Sequence, residues 1–164
     1  MAKACLKDNT PFGVCAIREG KEVGTPAVPF EIGTTAKIAE WDMQQLGVLQ
    51  IVASGEARFR ILEQHAQKDG LLFGRIEMLP AETDGPIPAI CVPAVRLLER
   101  VIEQHADLFP PPHQLHSVAW VSARLAEILP LPLAAKQELL ELDDARARLE
   151  RVNALLRASA REES

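Results

Sequence analysis

The sequence lacks any excess of positive charge. Its formal net charge is −5 over 164 residues, and neither half of the chain is strongly basic. Binding to nucleic acids and docking on anionic membranes both depend on clustered lysine and arginine, so the composition argues against each of them. The chain also has no uninterrupted apolar run of the roughly 18 residues that a membrane span needs, and no apolar region of a signal peptide near its start. We therefore predict a cytoplasmic protein.

Cysteine is scarce and irregularly placed. The chain has an odd number of cysteines, and no two of them form a CxxC motif. They are Cys5, Cys15 and Cys91. Cys15 lies inside an apolar run, as expected of a buried strand residue. We interpret all three as reduced thiols, and a disulfide is the alternative that the spacing leaves open.

The motifs that mark common catalytic and cofactor sites are missing as well. There is no G-x-S-x-G elbow, no G-x-x-x-x-G-K-[ST] phosphate loop and no G-x-G-x-x-G motif. His113 and His116 form an HxxH pair, but no neighbouring cysteine or carboxylate supplies the further ligands that zinc needs. His105 continues the apolar face of a helix and is predicted to pack. The sequence thus indicates no catalytic residue, no metal site and no cofactor.

Residues 1–80 are predicted to form a mostly antiparallel β-subdomain, either a barrel or a closed sandwich. Its centre is Phe30–Leu62, in which Val48–Ala53 is rich in the β-branched residues that strands favour. Gly55 interrupts the strand pattern, which predicts a bulge or a sharp corner. Asp42–Gly47 is predicted to be a hairpin loop.

The composition changes at residues 81–90, where prolines cluster, and we predict a linker there. Residues 91–164 then show the helical period and are predicted to form a bundle, so that the fold class is α+β. Asp143 or Asp144 is the candidate cap for the last helix, and Asp144 is spaced to pair with Arg148 at i, i+4. Trp120 is predicted to pack in the helical core. The apolar faces of the three longer helices are Cys91, Val95, Leu98 and Ile102; Val118, Val121, Leu125 and Ile128; and Ala145, Leu149, Val152 and Leu156.

An apolar cluster marks the predicted hairpin loop. It consists of Trp41, Met43 and Leu46. Exposed apolar side chains of this kind form a surface for a partner, which makes these three residues the candidate peptide-binding site. The same cluster can instead fold down as a lid over the sheet, and the sequence leaves both interpretations open.

A set of short segments lies along the chain in a characteristic order and spacing. The segments are Phe12–Val14, Gly33–Thr34, Ala36–Ile38, Gly55, Arg58–Leu62, Leu125–Ala126, Lys136–Glu141 and Arg148–Glu150. Together they cover about residues 5–156 and resemble the N-terminal, substrate-binding domain of Lon proteases. The pattern of Trp120, Arg124–Glu127 and Leu129–Leu131 is closer to the stand-alone bacterial proteins of this family than to the protease itself.

The resemblance implies a PUA-like β-barrel subdomain followed by a helical bundle, with substrate recognition as its role. We expect a form of the domain without the ATPase and peptidase domains. Asp84-Gly85-Pro86 is similar to the start of the Lon catalytic-serine motif, but Ile87 stands at the nucleophile's position and has no hydroxyl group. Family members usually open with a strand that we expect to be missing here. An unpaired sheet edge would favour strand exchange between chains and a homo-oligomer.

Three hypotheses for function follow. The preferred one is a non-enzymatic module that binds unfolded or tagged polypeptide in protein quality control, in cooperation with a protease in trans. The second is an RNA-binding protein, because PUA-like barrels often bind RNA, although the acidic balance opposes it. The third is a small hydrolase with an unrecognised site.

Overall fold

The computed structural model describes residues 1–21, 26–45, 48–68 and 70–162. The chain divides into two compact units, Met1–Ala81 and Glu82–Ser164. Apart from one short helix, the first unit is built of β-strands, and the second consists of helices. The predicted α+β class is confirmed.

The first unit contains a four-stranded antiparallel sheet and a small two-stranded sheet. The larger sheet has the order β1-β4-β5-β6, and β2 pairs with β3. The antiparallel arrangement is as predicted, but the described strands form an open sheet with β1 and β6 at its edges, rather than a closed barrel. The elements are α1 (Ala2–Asp8), β1 (Phe12–Val14), β2 (Ile17–Glu19), β3 (Val28–Pro29), β4 (Ile32–Gln45), β5 (Val48–Ala66) and β6 (Leu72–Met78).

The core of this sheet centres on Phe59, which is only 2% exposed. Its ring lies over two glycines of neighbouring strands, Gly13 and Gly33. A Cβ atom built on either glycine would lie 3.0 Å or 2.9 Å, respectively, from the ring. The two glycines therefore provide the space that the aromatic side chain fills, because close-packed interiors leave no room for both.

The β4–β5 hairpin is longer than the sequence predicts. The prediction of a loop at Asp42–Gly47 is wrong for residues 42–45, because β4 continues through Gln45. Asp42 pairs with Gln50 across the hairpin, so backbone pairing outweighs the weak strand preference of these polar residues. Leu46 lies outside the described residues.

The bulge predicted at Gly55 is confirmed. The register of β4 against β5 shifts between Thr34 and Ala36, where Arg58 and Gly55 are the facing residues. Three residues of β5 thus span two of β4, which is the signature of a bulge.

The second unit is a bundle of four helices with two additional turns of 3-10 helix. Its core contains the apolar faces that the helical period predicts, and Trp120 packs against it, as expected. His105, predicted to pack, instead caps the end of α2 and is exposed, because the helix ends one residue before it. The helices are α2 (Val92–Gln104), α3 (Val118–Ile128), α4 (Leu133–Glu141) and α5 (Ala145–Glu162), and the 3-10 turns are Ala89–Cys91 and Ala106–Leu108.

A buried ion pair fastens the segment before α2 to the helices. Arg148 of α5 donates through both terminal nitrogens to the carboxylate of Glu82, and the two side chains are 5% and 16% exposed. Its Nε donates to Ser122 Oγ of α3 over 3.0 Å. Arg148 therefore pairs with Glu82 rather than with Asp144, which accepts a bond from the backbone of Arg146 at the start of α5.

Candidate functional site

The outer part of the β4–β5 hairpin is a two-stranded arm. We define the arm as residues 37–45 of β4 and 48–54 of β5. Strand β1 pairs with β4 only between residues 34 and 36, and β6 pairs with β5 only from residue 59 onward. Among the described residues the arm thus has no third strand beside it. A ribbon of two strands buries little of its own apolar surface.

The arm carries Trp41 and Met43 as exposed side chains. Trp41 is 58% exposed and stands opposite Ile51, which is also exposed. Met43 is 43% exposed and follows two residues later on the same strand, where the register of β4 against β5 shifts between Asp42 and Gln45. The side chains of Glu40 and Val52 form the facing pair on the other side of the arm.

The structure therefore places two of the three predicted site residues, Trp41 and Met43, at exposed positions of the arm. Leu46 lies outside the described residues. Ile51 joins them because the hairpin register sets it across from Trp41. The sequence of Val48–Ala53 does not identify Ile51 as this partner, because a nearly continuous apolar run is typical of a strand that is buried on both faces. Trp41, Met43 and Ile51 are called the apolar face of the arm below.

Such a surface has the chemistry of a polypeptide-binding patch. Tryptophan and methionine are enriched at protein interfaces, where the first supplies a rigid area and the second adapts its shape. Exposed apolar side chains clustered on a protruding element mark interaction sites more often than isolated ones do.

Asp84 holds the start of α3 in the second unit. Its Oδ1 accepts bonds from Ser117 Oγ at 2.8 Å, from the backbone of Ala119 at 3.1 Å and from the backbone of Gly85 at 2.8 Å. Ser117 is the N-cap of α3, and its Oγ in turn accepts from the backbone of Trp120. These hydrogen bonds, first among them the one from Ala119, lower the pKa of Asp84. Asp84 is thus a helix cap.

Ile87 has a structural place too. It packs against the apolar core of the second unit. In the segment that resembles the start of the Lon catalytic-serine motif, Asp84 therefore caps a helix and Ile87 packs against the helical core.

Replacing Asp84 with asparagine should make the stability of the chain less dependent on pH. Because the folded-state pKa lies below the ordinary 3.8, the carboxylate stabilises the fold above pH 3.8 and loses this contribution as the pH falls through the folded value. Urea unfolding of wild type and Asp84→Asn should differ at neutral pH and converge well below pH 3.8. An equal difference at both pH values would contradict the assigned role.

The histidine pair has no metal-binding geometry. The Nε2 atom of His113 lies 2.8 Å from the carbonyl oxygen of Phe109, and its ring stands 6.1 Å from that of Trp120, while His116 is exposed. Across the described ranges, no three histidine, cysteine or acidic side chains come together in a group that could hold a metal ion. Cys5, Cys15 and Cys91 are free thiols.

In the part of the chain that the structure describes, no helix combines the length and the apolar character that crossing a bilayer requires.

A shallow depression on the second unit has a volume of about 360 Å³. It is lined by Ile90 and by α5 residues that include Glu150, Asn153 and Arg157. The Asn153 amide donates to the carbonyl oxygen of Ile90 over 3.3 Å, so its polar group is engaged in holding the connecting backbone. The lining mixes both signs of charge and brings together no catalytic set of side chains.

Comparison with known proteins gives a consistent result. Residues 1–158 match the family model described as the ATP-dependent protease La (LON) substrate-binding domain. A Lon protease from Anaeromyxobacter dehalogenans (strain 2CP-C) is 26% identical over 164 residues, which cover 95% of this chain and 19% of that protein. The chain therefore spans about a fifth of the length of this relative.

Two solved structures share the fold. A Lon N-terminal domain protein from Xanthomonas campestris superposes with a TM-score of 0.75 at 30% identity, covering 93% of this chain and 80% of the other. The N-terminal domain of the Mycobacterium avium complex Lon protease gives a TM-score of 0.55 at 19% identity, covering 85% and 74% of the two chains. The second likeness concerns the fold alone.

Proposed function

The chain belongs to the family of LON substrate-binding domains, and from this membership we propose that it is a non-catalytic, cytoplasmic module that binds unfolded or tagged polypeptide in protein quality control. The proposal includes cooperation with a protease in trans, to which the bound polypeptide would be passed. The observation that carries it is the apolar face of the arm, where Trp41 and Ile51 form an exposed cross-strand pair and Met43 is exposed on the same hairpin.

The mechanism is contact between these side chains and apolar residues of an extended polypeptide. An unfolded chain exposes the apolar side chains that a folded one buries, so an apolar surface distinguishes the two states without reading a particular sequence. Leu46, which follows β4 in the sequence, is part of the proposed site. Burial of Trp41 supplies the largest single area, because a tryptophan side chain buries more surface than its neighbours on the arm.

The non-catalytic character rests on two observations. Ile87 stands where the resemblance would place a nucleophile, and Asp84 is engaged in capping α3. A polypeptide bound at the arm should therefore be released without being cleaved. Incubating the protein with an unfolded polypeptide, with and without ATP, should yield no fragments on a denaturing gel.

Replacing Trp41 with alanine should weaken binding of an unfolded polypeptide by about tenfold or more, which is the loss expected for an aromatic residue at the centre of an interface. The probe is reduced and carboxymethylated α-lactalbumin carrying a fluorophore, titrated with the full chain and followed by fluorescence anisotropy. Wild type should give saturable binding.

Val52→Ala is the matched control. Val52 is as exposed as Trp41, at 58%, and lies on the same arm, but its side chain points to the opposite face. Its removal should leave the affinity within about twofold of wild type. Absence of saturable binding, or equal affinities for wild type and Trp41→Ala, would overturn the proposed site.

A further inference from the structure

The outer edge of β6 is open and apolar. All seven residues of β6 are exposed, and among the strands that the structure describes β6 pairs with β5 alone, on one side. Four of them are large apolar side chains, which a soluble protein does not usually leave on a free edge without a device that blocks pairing. These four residues are Leu72, Phe73, Ile76 and Met78.

The hydrogen bonds at the two ends of β6 fix which backbone groups point outward. The carbonyl oxygen of Leu71 accepts a bond from Gln67, and the amide of Leu79 donates to the carbonyl oxygen of Arg58 on β5. Backbone direction alternates along an antiparallel strand, so the odd-numbered residues point toward β5. The free edge therefore presents the N–H and C=O groups of Leu72, Gly74, Ile76 and Met78.

The charges on β6 favour one register for pairing with an identical strand, because only this register sets opposite charges of the two copies face to face. In an antiparallel pair with its twofold axis at Ile76, Arg75 of each copy stands opposite Glu77 of the other. An axis at Arg75 or at Glu77 would set two like charges face to face, which is destabilising. We propose that β6 pairs edge to edge, antiparallel, with β6 of a second copy of this chain, about a twofold axis at Ile76.

The backbone hydrogen bonds and the charges of this strand pair are both compatible with the proposed register. The three opposed pairs formed by residues 74, 76 and 78 exchange about six backbone hydrogen bonds, two for each pair. Arg75 already contacts Glu63 of its own chain at 2.5 Å, and Glu77 stands opposite Arg60. In the dimer each of these charges would lie between two opposite charges.

The side chains on the other face of β6 also fit the register. Ile76 meets Ile76 of the second copy, and Met78 lies beside Gly74, which has no side chain of its own. The two four-stranded sheets would join into one continuous sheet of eight strands. This inference does not rest on the proposed function, since β6 lies outside the arm.

Sedimentation equilibrium of the full chain tests the proposal. Wild type should shift with rising concentration from 18.0 kDa toward about twice that mass. Added salt should weaken the association, because the cross-pairs of Arg75 and Glu77 are exposed and therefore screened.

Two charge variants test the register. Glu77→Arg alone and Arg75→Glu alone should each remain monomeric, since every cross-pair would then join like charges. Mixed in equal amounts, the two should associate, because each arginine of one variant again faces a glutamate of the other. Dimers of either variant by itself, as strong as those of wild type, would overturn the proposed pairing.

Ile76→Pro blocks the edge without disturbing the sheet. The Ile76 amide points away from β5, so proline removes a donor to the second copy and no bond of the β5–β6 ladder. The variant should keep the thermal unfolding midpoint of monomeric wild type and lose self-association. A wild type that stays at 18.0 kDa at every concentration would overturn the proposal. So would a monomer that binds carboxymethylated α-lactalbumin in a manner abolished by Ile76→Pro, which would assign the edge to extended polypeptide instead.

Discussion

Replacing Arg148 with methionine is expected to lower the free energy of unfolding by about 3–5 kcal/mol, the usual loss when one partner of a buried ion pair is removed. Arg148 is 5% exposed and satisfies the carboxylate of Glu82 with two bonds and the hydroxyl of Ser122 with a third. Methionine fills part of the volume but leaves the Glu82 carboxylate without its cation. Urea unfolding followed by Trp120 fluorescence, in a Trp41→Phe background, measures the change in the second unit.

Arg146→Met is the control for Arg148→Met. Arg146 lies two residues earlier on α5 and pairs with Glu150 at 3.0 Å, but both side chains are largely exposed. An exposed pair is screened by water, so its loss should cost about 1 kcal/mol or less. A similar loss of unfolding free energy in the two variants would contradict the role that we assign to the burial of the Arg148–Glu82 pair.

A double variant separates the ion pair from the side-chain volume. Glu82→Met together with Arg148→Met removes both charges, and apolar replacement of a whole buried pair is often nearly neutral. We expect the double variant to be more stable than Arg148→Met alone. If the two single losses simply added, the carboxylate and the guanidinium would not be interacting.

The position of Arg148 shows where sequence reasoning reaches its limit. The helix that carries it is predictable, because the period of Ala145, Leu149 and Val152 defines a buried face. The same pattern places Arg148 next to that face and suggests a local partner at Asp144. Its actual partner, Glu82, is 66 residues away in sequence, and no local rule connects the two.

The helical unit was more predictable than the sheet for a general reason. A helix is specified by hydrogen bonds and contacts within three or four residues, so its bounds follow from local period and from prolines such as Pro130, which follows the end of α3. A strand is specified by its neighbours. The bulge at Gly55 could be expected from the glycine, but the length of β4 depends on β5 and could not.

The candidate site shows the same division. Trp41 and Met43 are identifiable from the sequence as an apolar pair beside polar residues, because exposed large apolar side chains that cluster often mark an interaction site. Their placement in a strand, and the pairing of Trp41 with Ile51, required the hairpin register. What the structure adds is thus the geometry of the surface, which turns a cluster in the sequence into a face with a defined opposite side.

Replacing Phe59 with alanine is expected to destabilise the first unit by about 3–5 kcal/mol, the range for truncating a buried phenylalanine. The buried side chains around it are few: among the described residues of the first unit only Ile32, Thr35, Ala36 and Phe59 are fully buried apart from glycine. Small cores have little stability in reserve, so a loss of this size should abolish the cooperative structure of the sheet. Hydrogen exchange measured by mass spectrometry should then show loss of protection in β4 and β5.

Phe73→Ala is the matched control, since it removes the same side chain from the adjacent strand at a position that is 46% exposed. Phe73 stacks against His65 with ring centroids 6.4 Å apart. Its truncation should cost about 1 kcal/mol or less and leave β4 and β5 protected.

The comparison also bears on the arm, because the arm is an extension of the same two strands. If Phe59→Ala lost protection in β4 and β5 but still bound carboxymethylated α-lactalbumin with wild-type affinity, the binding surface would have to lie outside the sheet. Loss of binding in Phe59→Ala, together with its retention in Phe73→Ala, would tie recognition to the folded hairpin that Phe59 supports.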